Sequence, residues 1–314
     1  MLLLQNFLIL CFGLAILIWG ADRFVAQSSI IAKRIGVSDL IIGLTIVAFG
    51  TSAPEIFIGI SGIFNESAAL SLGTVMGSNI SNIALIFGIA CFSLRKQITD
   101  SLINLLPFVI SVIWLGIALF NGKINHIEGI VFIGILGLFL FTLFKSNDLN
   151  EENIQDQASS ISKDVLWLTI GLIGLIFGSH LSVRHAENIA VILGVPEMII
   201  GLTILALGTS LPELAASVVA LVKKKAQMVV GNIIGSNIFN LVFVVPMIGF
   251  FSTLTLEDTI FARDFLVVAL LSTAFLLVIM VLKFAPFNGL IMKFFGLTFV
   301  LSYIAYIMLL SGLI

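Results

Sequence analysis

The segment IIGLTIVAFGTSAPE at residues 41–55 returns as IIGLTILALGTSLPE at residues 199–213. The offset is 158 residues, and 12 of the 15 positions are identical. Each copy ends in a proline followed by a glutamate, Pro54-Glu55 and Pro212-Glu213, and each lies in strongly apolar surroundings. A carboxylate in an apolar span is costly and marks a functional position by default. Two of them, placed equivalently in two halves of one chain, read as one shared site.

Composition places that site in a bilayer. Of 314 residues 60% are hydrophobic and only 10% charged, against about 25% charged in a soluble domain. The length allows roughly ten spans of about 20 residues each. The net charge of −2 argues against a nucleic-acid partner. Cys11 and Cys91 both sit in apolar stretches and read as buried packing thiols rather than a disulfide. No basic region or small-residue cleavage site comes before the first apolar run, so it reads as a retained span rather than a signal peptide. The Phe-rich segments read as lipid-facing bulk.

Charge clusters and turn residues cut the chain into ten spans, at 3–26, 39–63, 68–93, 102–120, 127–144, 164–188, 197–221, 227–251, 265–283 and 289–312. The stretch 145–163, KSNDLNEENIQDQASSISK, is too polar to bury and reads as a cytoplasmic linker between a first repeat, 1–144, and a second, 164–314. The offset holds beyond the opening motif: GVSDLIIG (36–43) matches GVPEMIIG (194–201), and LGTVMGSNISN (72–82) matches VGNIIGSNIFN (230–240). Five spans per half is an odd number, so the second half enters the membrane from the opposite side. The expected fold is therefore all-α, with ten transmembrane helices in two inverted-topology repeats, as in many secondary transporters. With both termini outside, the inner connections carry twelve Lys and Arg residues and the outer ones only Lys123, Arg184 and Arg263. That is the expected positive-inside bias.

Two motifs carry the chemistry. A proline inside a helix removes one N–H and frees the carbonyl four residues earlier, here Gly50 and Gly208. Free carbonyls at membrane depth are tolerated only where they line a cavity or hold something. With the hydroxyls of Thr51, Ser52, Thr209 and Ser210 and the carboxylates of Glu55 and Glu213, the motif offers an all-oxygen set. Such a set suits hard cations such as Ca²⁺ or Na⁺ and lacks the Cys and His of a zinc or copper site. A simple proline kink with a snorkelling glutamate is the plainer alternative. The second motif, GSNIxN, places Ser78 with Asn82, and Ser236 with Asn240, at i and i+4 on one helix face. These can offer neutral oxygens to an ion, or can pack helices through small residues and interhelical hydrogen bonds. His126, His180 and His185 fall at outer ends of spans, and Lys223–Lys225 reads as a cytoplasmic anchor.

Paired GTSxPE and GSNIxN motifs in two five-span halves resemble the calcium/cation antiporter superfamily, and within it the compact prokaryotic sodium/calcium exchangers, because 145–163 is too short for a regulatory domain. The resemblance covers both repeats. It implies a core of helices 2, 3, 7 and 8 around four ion sites, with Glu55 and Glu213 shared by Ca²⁺ and Na⁺. It also implies hydroxyl ligands at Thr51, Ser52, Ser78, Thr209, Ser210 and Ser236, carbonyl ligands at Ala48, Ala206, Thr51 and Thr209, and central amides at Asn82 and Asn240. Several members, potassium-dependent ones included, carry Asp where this chain has Asn240. The site here then holds two formal negative charges rather than three.

The function so implied is a secondary antiporter, not an enzyme, in a prokaryotic plasma membrane, exporting Ca²⁺ against entering Na⁺ by alternating access. Its partners are the bilayer and its two transported ions, with no resident cofactor and no oligomer required. Proton-coupled exchange of Ca²⁺ or another divalent ion is the rival of the same class. An intramembrane enzyme using Glu55 and Glu213 is the rival of another class; no GxSxG or HExxH motif supports it. A non-transporting scaffold gives no reason for two buried glutamates.

Overall fold

A computed structural model of the chain describes residues 2–65, 68–94, 102–146, 161–195, 204, 206–252, 254–255, 260–284 and 289–311. They are almost wholly helical. In chain order the elements are α1 (Leu2–Ile35), α2 (Asp39–Thr51), α3 (Ala53–Phe64), α4 (Ala68–Cys91), α5 (Ile103–Phe120), β1 (Lys123–Ile124), α6 (His126–Ser146), α7 (Ile161–Ile192), α8 (Ala206–Thr209), α9 (Leu211–Val222), α10 (Ala226–Phe251), β2 (Leu254–Thr255), α11 (Arg263–Lys283) and α12 (Gly289–Leu310). The short strands β1 and β2 pair antiparallel, Lys123 opposite Thr255.

Eight of these helices are long and apolar enough to cross a membrane, nine if the bent pair α2–α3 is one span. The seventh expected span, 197–221, is represented by α8 and the 12-residue α9; most of its first part and most of the 145–163 linker lie outside the described residues. Exposed side chains such as Phe7, Phe57, Phe120 and Phe144 suit a lipid-facing surface. The expectation of wholly lipid-facing phenylalanines needs correction: Phe24, Phe87, Phe108, Phe132, Phe139 and Phe275 are fully buried. Phe87 stands edge-on to Phe275 at 4.7 Å and to Phe299 at 5.4 Å between ring centroids. In lipid, rings add dispersion contact between helices rather than hiding from water, so both locations are open to them. The expectation of two buried thiols is half right, with Cys91 buried and Cys11 exposed.

The sequence repeat is also a repeat of backbone. α1 and α7 each end on a glycine with positive φ, Gly36 at 73° and Gly194 at 75°. In each, the next valine's N–H closes onto a carbonyl five residues back, Val37 to Ala32 at 2.9 Å and Val195 to Ala190 at 3.0 Å. Only glycine takes this left-handed turn without strain, which is why GV opens both copies of the motif.

These two repeat-related helices pack antiparallel along their length, Gly13 meeting Ser182, Leu17 meeting Gly178, Gly20 meeting Leu175 and Phe24 meeting Gly171. Glycines let the backbones touch. A Cβ on Gly171 would sit 2.7 Å from the backbone nitrogen of Phe24, and one on Gly20 would strike the backbone of Leu175. Arg34 binds Asp164 at 3.0 Å at one end of the pair, and His185 Nδ1 lies 2.7 Å from Asn6 Oδ1 at the other.

The apolar centre is formed chiefly by α4 and α10, on which α2, α3, α6 and α9 pack. Of the lysine triplet after α9, Lys223 pairs with Asp22 at 2.7 Å and Lys225 with Asp39 at 2.8 Å, so these side chains tie α1 and α2 to the end of α9 as well as adding positive charge.

Gly20→Leu should force α1 and α7 apart, since backbone cannot yield as a side chain can. A loss of about 3 kcal/mol is expected, or roughly 5 °C or more in the melting temperature of detergent-purified protein. Gly137→Ala, where a Cβ meets no described atom within 4 Å, should leave it unchanged. Equal melting temperatures for Gly20→Leu and the wild type would show that the interface does not need the close approach.

Candidate ion-binding site

The site begins with two broken helices. α2 starts at Asp39, capped by Ser38 Oγ, which accepts from the N–H of Ile41 at 3.3 Å. It widens into a π-helical stretch at Gly43–Val47 and stops at Thr51. α3 leaves at 48° to it. The hinge is Ser52, at φ −81° and ψ 0°, followed by Pro54 in the first turn of α3. The second repeat does the same: α8 stops at Thr209, Ser210 sits at φ −84° and ψ 7°, and Pro212 lies in the first turn of α9. The proline has no N–H to continue the preceding helix but fits a new first turn, so each motif ends one helix and starts another.

Glu55 and Glu213 thereby fall in the first turns of α3 and α9. Unpaired backbone N–H groups and the helix dipole favour negative charge there. Both carboxylates are buried, at 1% exposure each. The hydroxyl of Ser52 donates to Glu213 Oε1 at 2.9 Å, so the two repeats are joined at the site itself. Both oxygens of Glu55, Oε2 of Glu213 and Oγ of Ser210 are buried with no hydrogen-bond partner among the described residues.

The GSNIxN motifs cross beside the breaks. Ser236 Oγ lies 3.5 Å from the carbonyl of Ala48, next to the hinge of α2. Asn82 Nδ2 donates to Asn237 Oδ1 at 3.4 Å, and Asn240 Nδ2 to Asn79 Oδ1 at 3.3 Å. These two bonds are equivalent under the 158-residue offset. The oxygens of Asn82 and Asn240 are also buried and without a partner among the described residues. Ser78 is buried on α4, and Thr209 is half-buried against a cavity. Ala206 is the first residue of α8.

The surroundings contain groups that the motifs do not announce. Thr51 Oγ1 lies 3.0 Å from the carbonyl of Val47 and 3.2 Å from Asn232 Oδ1, and Asn232 Nδ2 donates to Ser217 Oγ at 3.1 Å. The position equivalent to Asn232 is Thr74, and the one equivalent to Ser217 is Gly59. The freed carbonyl of Gly208 accepts from Ser179 Oγ at 3.2 Å; the position equivalent to Ser179 is Ala21, which has no hydroxyl. A mismatch between aligned repeats at a polar residue in mid-span is the signal that could have found Asn232, Ser217 and Ser179.

A cavity of about 640 Å³ adjoins both Pro-Glu motifs. Pro54, Thr209 and Pro212 line it from the breaks, and Ser179, His180, Arg184 and Glu187 line it from α7. Of the three histidines, His180 faces this cavity, His185 is bonded to Asn6, and His126 packs edge-on to Phe250 at 5.8 Å between centroids.

The donor set is all oxygen: two carboxylates, hydroxyls, amide oxygens and carbonyls. No group of three or more His, Cys, Asp or Glu able to hold a metal occurs among the described residues. Buried oxygens left without donors have the chemistry of ligands for a hard alkali or alkaline-earth cation.

Comparison with known proteins agrees with this chemistry. The family model described as sodium/calcium exchanger protein matches residues 5–145 and 163–312. A putative antiporter, CaxA of Alkalimonas amylolytica, is 38% identical over 245 residues, covering 74% of this chain and 76% of its own. The inner membrane protein YrbG of Escherichia coli is 33% identical over 282 residues, covering 86% and 87%. The solved structure of the sodium/calcium exchanger from Methanococcus jannaschii superposes with a TM-score of 0.80 at 30% identity, over 98% of this chain and 97% of that one. With the model matched across both repeats and the likeness extending over nearly the whole fold, this chain is a member of the sodium/calcium exchanger family of membrane antiporters.

Proposed function

We propose that the chain exchanges Ca²⁺ from the cytoplasm for entering Na⁺, using one shared site between the two broken helices. The observation that carries this reading is the pair Glu55 and Glu213, both buried, bridged by Ser52 and left with three unpartnered carboxylate oxygens. The solved structure named above is of a sodium/calcium exchanger, which favours Na⁺ over H⁺ as the counter-ion.

Coupling follows from charge. Two carboxylates can neutralise one Ca²⁺ or a set of Na⁺ ions, but both loads together would leave excess positive charge in low dielectric. The unloaded site is costly to carry across, because two bare carboxylates repel one another and have lost water. Transport then proceeds as exchange. Glu55, Glu213, Thr51, Ser52, Thr209, Ser210, Ser78, Ser236, Asn82 and Asn240 supply side-chain oxygens, and Ala48, Ala206, Thr51 and Thr209 supply carbonyls.

The architecture we propose is ten spans in two inverted five-helix repeats, 1–144 and 164–314, joined by a cytoplasmic linker at 145–163, with both termini outside a prokaryotic plasma membrane and the monomer as the working unit. The antiparallel packing of the repeat-related α1 and α7 supports the inversion. Spans 1 and 6, the same α1 and α7, are the pair that slides against the core of spans 2, 3, 7 and 8. On that topology the 640 Å³ cavity opens to the outside, toward the end of α7 that carries His180, Arg184 and Glu187.

Glu55→Gln and Glu213→Gln should each cut ⁴⁵Ca flux in proteoliposomes about a hundredfold or more, the cost of removing half the charge of a buried site. Near-normal flux in either variant removes that glutamate from the mechanism. Imposing Na⁺ and pH gradients separately in the same vesicles decides between Na⁺ and H⁺ coupling.

Ser52→Ala and Ser210→Ala remove one neutral oxygen each. Roughly fivefold weaker apparent Na⁺ affinity is expected, in line with about 1 kcal/mol per hydrogen-bond-like contact. Unchanged Na⁺ dependence in both would make the hydroxyls packing groups.

Transport by the wild type should need no K⁺, because Asn240 leaves two formal charges. Asn240→Asp adds a third carboxylate, so the site must take another cation or keep a proton. The variant should gain a dependence on pH or K⁺ that the wild type lacks. Strict K⁺ dependence of the wild type would defeat this charge argument.

A further inference from the structure

Asn79 belongs to α4 and precedes Asn82 by three residues. Its amide nitrogen donates to the backbone carbonyl of Asn237 at 3.3 Å. Its amide oxygen accepts from Nδ2 of Asn240 at 3.3 Å. A backbone carbonyl has no proton to give, so the first bond decides which end of the Asn79 amide faces which way. The oxygen is left toward Asn240, and Asn240 can meet it only with its NH₂. The oxygen of Asn240 is thereby turned away from Asn79; it is buried and has no hydrogen-bond partner among the described residues.

The mirror pair lacks this control. Asn82 donates to Asn237 Oδ1 at 3.4 Å, but Nδ2 of Asn237 is buried with no partner among the described residues. Both amides of that pair can turn over together and exchange donor for acceptor without breaking a bond to a fixed group. One of the two crossed amide pairs is pinned to the backbone and the other is not.

We infer that Asn79 is a positioning residue for transport: its bond to the Asn237 carbonyl holds the Asn240 amide with its oxygen, and not its NH₂, toward the transported cation. This rests on the reading of the ion site above. The orientation matters because position 240 is neutral here. A carboxylate would present an oxygen whichever way it turned, whereas an amide turned over would present partial positive charge to a cation. Neutrality at 240 therefore creates a need for orientation, and Asn79 meets it.

The test is a double-mutant cycle with Asn79→Leu and Asn240→Asp, read as the Ca²⁺ or Na⁺ concentration giving half-maximal thermal stabilisation of detergent-purified protein. Leu keeps the approximate shape of Asn79 but cannot donate or accept. In the wild-type background Asn79→Leu should raise that concentration about tenfold, the equivalent of one well-aimed polar contact. In the Asn240→Asp background the same change should cost about twofold or less, because the carboxylate needs no aiming. An equal loss in both backgrounds, or none in the first, overturns the inference and leaves Asn79 a packing group. If Asn79→Leu is not recovered folded, Asn79→Ala takes its place in the cycle; its methyl group can neither donate to the Asn237 carbonyl nor accept from Asn240. Binding is read without transport, so a wild type that fails to exchange Ca²⁺ for Na⁺ overturns the proposed function while the cycle still decides the role of Asn79.

Discussion

Everything else in this structure depends on two carboxylates held at 1% exposure inside an apolar bundle. On insertion scales a charge at the centre of a span costs about 3 kcal/mol, and two of them consume a large part of a typical stability of about 5–15 kcal/mol. The protein offsets only part of this. Helix N-termini at the breaks face Glu55 and Glu213, and Ser52 donates to one of the four carboxylate oxygens. The other three have no hydrogen-bond partner among the described residues. A cation is the natural complement of that deficit, and a bundle that is costly without its cargo is one that has reason to move only when loaded.

The same constraint explains why the helices break where they do. A continuous helix would bury its backbone bonds and offer an ion nothing but side chains. Pro54 and Pro212 interrupt that ladder beside each glutamate, so carbonyls, hydroxyls and the positive end of a new helix arrive together within one turn. Around this fixed centre, α1 and α7 touch backbone to backbone through Gly13, Gly20, Gly171 and Gly178. Small residues let the two backbones touch along their length, which suits the proposed movement of the pair as one body against the core.

The repeats are near-identical at the motifs and differ around them. Thr51 has Asn232 and Ser217 beside it, where the other repeat supplies Thr74 and Gly59. The Gly208 carbonyl is met by Ser179, where the equivalent position is Ala21. Two halves that were perfectly alike could present only paired, equivalent ion positions. These differences make the two sides of the centre chemically distinct, which fits the proposed exchange of a divalent ion for monovalent ones.

Much was legible from residues alone, because the physics involved is local. A proline shortly after Thr-Ser breaks a helix in an apolar span, and a glutamate in lipid must serve something. The offset of 158 residues linked Glu55 to Glu213 and Asn82 to Asn240 without any coordinates. Three-dimensional packing decided the rest, since which side chains meet across helices depends on crossing geometry that periodicity does not encode. It gave the Ser52 hydroxyl to Glu213 of the opposite repeat, buried Phe87 and Phe275 where lipid contact was expected, left Cys11 exposed, and brought Asn232 to Thr51 from 181 residues away. It also pinned the Asn79–Asn240 pair to a backbone carbonyl while leaving its mirror image free to turn. Identical motifs carry no record of that asymmetry, because it arises from neighbours that only the folded chain assembles.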